Sequence, residues 1–160
     1  MAIEKVRAYF QTLGIEDRIR EFDVSSATVE LAAAALGVEG RQIAKSMSFR
    51  RADGGALLVV CAGDVKVDNH KFKETFHTKA KMLTPDEAVA EIGHAVGGVC
   101  PFAVNEGVEI YCDESLKRFD TVYPACGSSN SAAEMTPDEV YRFANALGWV
   151  DVCKPREGSL

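Results

Sequence analysis

Lys45 is the residue whose type and position most clearly suggest chemistry, because it interrupts a pattern that is otherwise typical of a β-strand. Over residues 43–49, Ile43, Lys45, Met47 and Phe49 fall on one face of such a strand, opposite smaller side chains. An ammonium group buried there without a partner would cost several kcal/mol. Either the side chain reaches solvent along its apolar stem, or it opens into a pocket that holds an anion.

A second candidate is an irregular loop that combines two glycines with a proline. Glycine lets the backbone approach a ligand closely, and proline restricts the backbone where the loop ends. Successive N–H groups in such a loop can bind an oxyanion or a phosphate, although the same G-x-x-x-P spacing also occurs in plain structural turns. The segment runs His94-Ala95-Val96-Gly97-Gly98-Val99-Cys100-Pro101-Phe102.

Cys100 and His94 in this loop suggest a different chemistry. A thiol activated by an imidazole is the nucleophile of one class of hydrolases, so these two residues could form a catalytic pair for small esters. The sequence does not bring the two side chains together, and a cysteine that only packs in the core is the commoner case.

A lysine-rich stretch at residues 64–81 is a candidate contact with nucleic acid. It carries five lysines against three acidic residues, whereas residues 105–140 carry eight acidic residues against two basic ones. This asymmetry predicts a face, including Lys66, Lys71 and Lys73, that meets nucleic acid; the alternative is a solvated helix face. His70 and His77 share a helix face in this stretch, but without a third ligand they predict no metal site.

A run of small residues after Tyr123 is the last candidate. Gly127, Ser128 and Ser129 belong to a loop between two strand-like segments. Such a loop could line a pocket that selects its ligand by size, or it could be an ordinary surface turn.

Four helices are predicted to position these residues. Apolar side chains at helical spacing indicate a helix over residues 3–13, ended by Gly14. Thr28 and Gly37 are suited to begin and end an alanine-rich helix. The sequence Thr-Pro-Asp-Glu occurs at both Thr84 and Thr136, and each copy predicts a capping box at the start of a helix.

Strands outnumber helices, and they do not alternate regularly with them. Residues 43–50 and 56–62 predict a hairpin, and the second strand is apolar on both faces, as a central strand is. The predicted fold is α+β, with a mixed, barrel-like sheet and surrounding helices. Other strand candidates are residues 19–22, 108–112, 121–125 and 132–135.

The composition favours one compact domain over residues 1–160, with a short polar tail at residues 154–160. The chain has 160 residues, is 47% hydrophobic and carries a net charge of −6, which excludes a disordered chain and argues against non-specific coating of nucleic acid. The longest apolar run, residues 56–62, is too short to span a bilayer. No signal-peptide pattern occurs, so the prediction is a cytoplasmic protein without membrane contact.

Taken in order, these motifs resemble the YbaK/prolyl-tRNA-synthetase-associated editing-domain family. The resemblance covers residues 22–147. It rests on Ile43-Ala44-Lys45-Ser46, on residues 57–64 running into Val67-Asp68, on Gly97-Gly98-Val99-Cys100-Pro101-Phe102, and on Ala125-Cys126-Gly127 leading into residues 134–137.

The resemblance implies hydrolysis of mischarged aminoacyl-tRNA in trans, without a metal or another cofactor. It assigns catalytic roles to Lys45 and to Gly97, Gly98, Val99, Cys100 and Pro101. Ser46, Phe102, Gly127, Ser128 and Ser129 are the predicted substrate-binding residues. The expected partners are aminoacyl-tRNA and an aminoacyl-tRNA synthetase. A non-catalytic tRNA- or nucleotide-binding module of the same fold remains an alternative, as does the Cys100-dependent hydrolase.

Overall fold

The fold is built around the fully buried strand β3, Ala56–Ala62, in a computed structural model that describes residues 2–156. β3 pairs antiparallel with β2, Ile43–Arg50, and parallel with β5, Glu109–Asp113. The mixed sheet has the order β6-β2-β3-β5-β8, in which β6 is Tyr123–Pro124 and β8 is Gly148–Val150. The predicted hairpin, the central strand and the α+β class are confirmed.

Two smaller sheets flank the main sheet. β1, Ile19–Glu21, pairs with β7, Ser131–Ala133, and isolated bridges join β7 to the β6 segment. β4, Val65–Val67, pairs antiparallel with β9, Cys153–Pro155. The expected polar tail is therefore wrong at its start, because Lys154 and Pro155 belong to a strand. The rest of that tail, residues 157–160, lies outside the described residues.

The helices pack on this framework through aromatic side chains. Phe10 of helix α1, Ala2–Leu13, contacts Phe102, and Phe72 of helix α3, Asn69–Phe76, contacts Phe49 of β2, with ring centroids 5.0 and 4.8 Å apart. Each fully buried phenylalanine contributes about 1.5–3 kcal/mol through removal of apolar surface from water. Over residues 2–156, no helix is long and apolar enough to cross a membrane. The helices are α1 Ala2–Leu13, α2 Val29–Leu36, α3 Asn69–Phe76, α4 Pro85–Glu87 and α5 Pro137–Phe143.

Both predicted capping boxes form. The Thr84 hydroxyl accepts the Glu87 N–H at 3.2 Å, and the Glu87 carboxylate accepts the Thr84 N–H at 2.8 Å; Thr136 and Glu139 repeat the arrangement. The helix after Thr84 differs from the prediction in its continuation. It makes one α-helical turn and then becomes the π-helix Ala88–Ile92, which ends at Gly93 in the left-handed region.

Candidate active site

A gap in the pairing of β2 creates the candidate site. On its outer edge β2 pairs with β6 only at Ile43–Ala44, and further along the Ser48 carbonyl accepts the Leu83 N–H at 3.1 Å. Between these points, within the described part of the chain, residues 45–47 have no strand partner on that edge. A cavity of about 390 Å³ opens at this gap and is lined by both sides of the interruption.

Lys45 lines this cavity, and its residue is exposed although it lies within a strand. On the same strand face Met47 is half-buried and Phe49 is fully buried. The environment therefore changes along β2 from core to cavity, because the outer edge is covered at Phe49 and open at Lys45. No ammonium group has to be buried, because the Lys45 side chain is exposed at the cavity.

The glycine–proline loop reaches the same cavity through Gly97 and Val99. The Gly98 N–H donates to the Ala95 carbonyl at 3.0 Å. The N–H groups of Gly97 and Val99 have no acceptor among the residues that the structure describes, which makes them candidate donors to a ligand oxygen. Cys100 and Pro101 are buried and do not line the cavity.

A backbone contact fixes the position of this loop. A Cβ atom on Gly98 would lie 2.7 Å from the Ser128 nitrogen and 2.8 Å from the Gly127 carbonyl carbon. The two predicted loops thus pack backbone against backbone, which only glycine at position 98 permits. Gly127, Ser128 and Ser129 do not line the cavity themselves; their neighbours Ala125 and the stretch 131–132 do.

Among the predicted substrate-binding residues, Ser46 and Phe102 have opposite placements. Ser46 lines the cavity, and its hydroxyl is buried without a hydrogen-bond partner among residues 2–156. Phe102 is fully buried against Phe10 and lies in the core rather than in the cavity wall. Phe102 therefore supports the loop from behind, since its aromatic ring fills the core where the loop ends.

The sequence analysis missed further lining residues, among them Glu30 at the start of α2, Tyr123, Met82, Val96 and Arg156. Met82 and Val96 are exposed apolar side chains, and single exposed apolar residues carry no sequence signal. Arg156 was missed because it falls in the segment that the sequence analysis assigned to a polar tail.

The side chains of Cys100 and His94 do meet, but in the core. The Cys100 Sγ lies 3.7 Å from His94 Nε2, and both residues are fully buried. Burial raises the pKa of the Cys100 thiol to about 12 and lowers the pKa of His94. Both shifts favour the neutral forms, and neither residue lines the cavity. A thiolate nucleophile is therefore disfavoured at this position.

None of the five lysines of the lysine-rich stretch lines the cavity. Lys66 on β4 and Lys73 on α3 are exposed. Lys71 instead donates to the Asp151 carboxylate and to the Cys153 carbonyl, each at 3.0 Å, and the Asp151 contact raises the pKa of Lys71. Lys71 thus ties α3 to the segment around β9.

The two histidines of the stretch have separate surroundings. His70 contacts Glu74 at 2.9 Å, and His77 ends α3 in the left-handed region. Across residues 2–156, no three His, Cys, Asp or Glu side chains are grouped so that they could hold a metal ion.

Comparison with known proteins agrees with this fold. Residues 23–143 match the aminoacyl-tRNA editing domain. The uncharacterized protein YwhH of Bacillus subtilis (strain 168) is 50% identical over 98% of this chain and 100% of its own length. A solved structure of a candidate trans-editing enzyme for prolyl tRNA synthetase superimposes with a TM-score of 0.86 at 28% identity, covering 96% of this chain and 97% of that one.

A third relative is a larger enzyme, and this chain is similar to one part of it. The proline–tRNA ligase of Bacillus subtilis (strain 168) is 32% identical over 82% of this chain, which spans 23% of the ligase. The chain belongs to the aminoacyl-tRNA editing domain family. Its resemblance to the prolyl-tRNA-synthetase-associated editing domains is thereby confirmed.

Proposed function

We propose that the protein is a trans-acting hydrolase that removes the amino acid from mischarged aminoacyl-tRNA. The observation that carries the proposal is the convergence of Lys45 and the Gly97–Pro101 loop on one cavity of about 390 Å³. The kinship with a domain of proline–tRNA ligase and with a candidate trans-editing enzyme supports tRNAs charged by a synthetase as the substrate class.

The chemistry needs positioning more than a strong nucleophile. The substrate is an ester between an amino acid and the terminal adenosine, and its hydrolysis passes through a tetrahedral oxyanion. The N–H groups of Gly97 and Val99 are the proposed donors to that oxyanion, because both residues line the cavity and neither N–H has an acceptor in the described chain. Lys45 holds the ester-bearing end of the tRNA. A hydroxyl of the substrate itself activates the attacking water.

The cavity wall favours an amino acid with a small or medium side chain. Ala125, Ser131 and Ala132 are compact residues in this wall. Discrimination against a larger amino acid would be steric, because one methylene group contributes only about 1–3 kcal/mol of attraction.

We also propose that Lys66 and Lys73 contact the tRNA backbone, weakly and in a salt-sensitive manner. Both side chains are exposed, whereas Lys71 is held by Asp151. Because the whole chain carries a net charge of −6, local positive charge has to supply the attraction to phosphate. Binding to a synthetase would add to this contact.

A deacylation panel tests the proposal. Purified protein is incubated with tRNAs charged with Ala, Cys, Ser, Pro and other amino acids, next to Lys45→Ala and the exposed control Lys5→Ala. We expect the wild-type protein to hydrolyse the ester of one or a few of these tRNAs. The rate of deacylation should fall by about 10²-fold or more in Lys45→Ala and stay unchanged in Lys5→Ala.

Two results would contradict the proposal. Full deacylation by a folded Lys45→Ala variant would remove Lys45 from the mechanism. No release from any tRNA by the folded wild-type protein would favour the non-catalytic binding module, and a filter-binding measurement with the same tRNAs would then test that alternative.

A further inference from the structure

Arg156 is a second cation in the proposed active-site cavity. The charged side chains of the described lining are Lys45, Arg156 and Glu30, so two positive groups and one negative group face the same space. Lys45 comes from β2, and Arg156 directly follows β9. A cavity that binds only a neutral ester carbonyl would not need two cations.

The backbone around Arg156 holds the side chain at the cavity. Its N–H donates to the Asp64 carbonyl at 3.0 Å, and its Nη1 donates to the Gly63 carbonyl at 3.1 Å. Gly63 is itself fixed, because a Cβ atom on Gly63 would lie 2.1 Å from the Gly40 carbonyl oxygen. The Gly63 contact orients the guanidinium through a neutral carbonyl acceptor, so it does not itself neutralise the positive charge.

Most donors of the guanidinium remain available. Arginine has five N–H donors in a planar fork, and one contact is to Gly63. The Glu30 carboxylate lies 3.8 Å from Nη2, which is beyond hydrogen-bond distance. The Arg156 side chain keeps 40% of its surface exposed. It can therefore donate two parallel hydrogen bonds to an anion that enters the cavity.

We propose that Arg156 binds the phosphodiester that precedes the esterified terminal ribose of the tRNA. This inference rests on the proposed function. A planar guanidinium matches a phosphate in bidentate geometry, whereas an ammonium acts as a point charge on a flexible stem. Arg156 thus takes the phosphate and positions the nucleotide, and Lys45 stays at the ester. Glu30 limits the affinity of Arg156 for phosphate, because the Glu30 carboxylate competes with the phosphate for the guanidinium.

Paired minimal substrates test this assignment. The aminoacyl esters of adenosine 5′-monophosphate and of adenosine differ only in the phosphate, and their ratio of kcat/KM measures its recognition. We expect Arg156→Ala to lower this ratio about 10- to 100-fold through KM, while the ester without phosphate is hydrolysed as by the wild type. Arg156→Lys should retain part of the preference, and Glu30→Gln should increase it.

Matched controls separate recognition from stability. Arg142→Ala removes an exposed arginine outside the cavity lining and should leave the ratio unchanged. An unchanged ratio in folded Arg156→Ala would overturn the assignment, as would an equal loss with both substrates, since that is the signature of a structural role.

A binding measurement keeps this inference separate from the proposed function. If the wild-type protein hydrolyses neither ester, the deacylation panel with whole tRNAs decides on the proposed function, and NMR titration with adenosine 5′-monophosphate and with adenosine decides on the phosphate site. Tighter binding of the phosphorylated nucleoside by the wild type, lost in Arg156→Ala, supports the phosphate site. Equal binding of both compounds, or binding of neither, overturns it.

Discussion

Gly98→Ala tests whether the contact between the two loops positions the active site. The added Cβ would lie 2.7 Å from the Ser128 nitrogen, whereas ordinary contact begins at 3.4 Å, so the loops must separate by about 0.7 Å. Both sides of this contact are backbone, which cannot rotate away. Overpacking of this kind costs about 1–3 kcal/mol, and for a chain of this size about 2–4 °C in Tm per kcal/mol.

The expected result is a Tm lower by about 2–12 °C, together with slower deacylation by the protein that is still folded. Val99 follows the substituted residue, and a displacement of 1 Å at reacting groups can cost about 10²-fold in rate. We expect deacylation to fall about 10-fold or more at a temperature at which the variant remains folded.

A glycine in open space is the matched control for this variant. Gly148→Ala places its Cβ where no heavy atom lies within 4 Å, so Tm and activity should stay unchanged. Differential scanning fluorimetry and the deacylation assay measure both quantities for both variants. Wild-type Tm and activity in Gly98→Ala would refute the role of the loop contact, and equal effects of the two substitutions would show that any added methyl group is harmful.

Three further predictions concern the thiol, the basic face and acid stability. Cys100→Ala should keep deacylation within about threefold, because burial raises the pKa of this thiol to about 12; a loss of several orders of magnitude would restore the thiol mechanism. Charge reversal at Lys66 and Lys73 should weaken tRNA binding and flatten its salt dependence, and unchanged filter binding at two salt concentrations would mean that this face is only solvated. Arg50 donates hydrogen bonds to Glu91, which lower the pKa of that carboxyl. A lowered pKa contributes stability above the unfolded pKa that is lost as pH falls through the folded value. Glu91→Gln should therefore flatten the acid limb of a Tm-versus-pH curve, and an unaltered curve would contradict this.

Local signals in the sequence were sufficient for most elements of the fold. Thr84 and Thr136 cap helices as their residue spacing predicts, because a capping box is made within four residues. The apolar run 56–62 identifies the central strand, since only a strand covered on both faces is apolar throughout. These features depend on neighbours in the chain, and a single sequence records them directly.

The missed features depend on contacts between distant residues. β4 and β9 have three residues each, too few for a periodic pattern, and they form only by pairing with each other. Arg156 could not be assigned to the site for the same reason. The exposure of Lys45 could not be predicted from the alternation of side chains along a strand. This alternation assigns a face to each side chain but does not show where an edge of the sheet is unpaired.

The open edge at residues 45–47 has a consequence for association of the protein with itself. Unpaired strand edges recruit strands from other molecules, and proteins commonly protect them. Here the opening is three residues long and is closed at one end by β6 and at the other by the segment at Leu83. An added strand would have to displace one of these pairings. The protein can thus present bare backbone to a small ligand while its sheet resists growing into an aggregate.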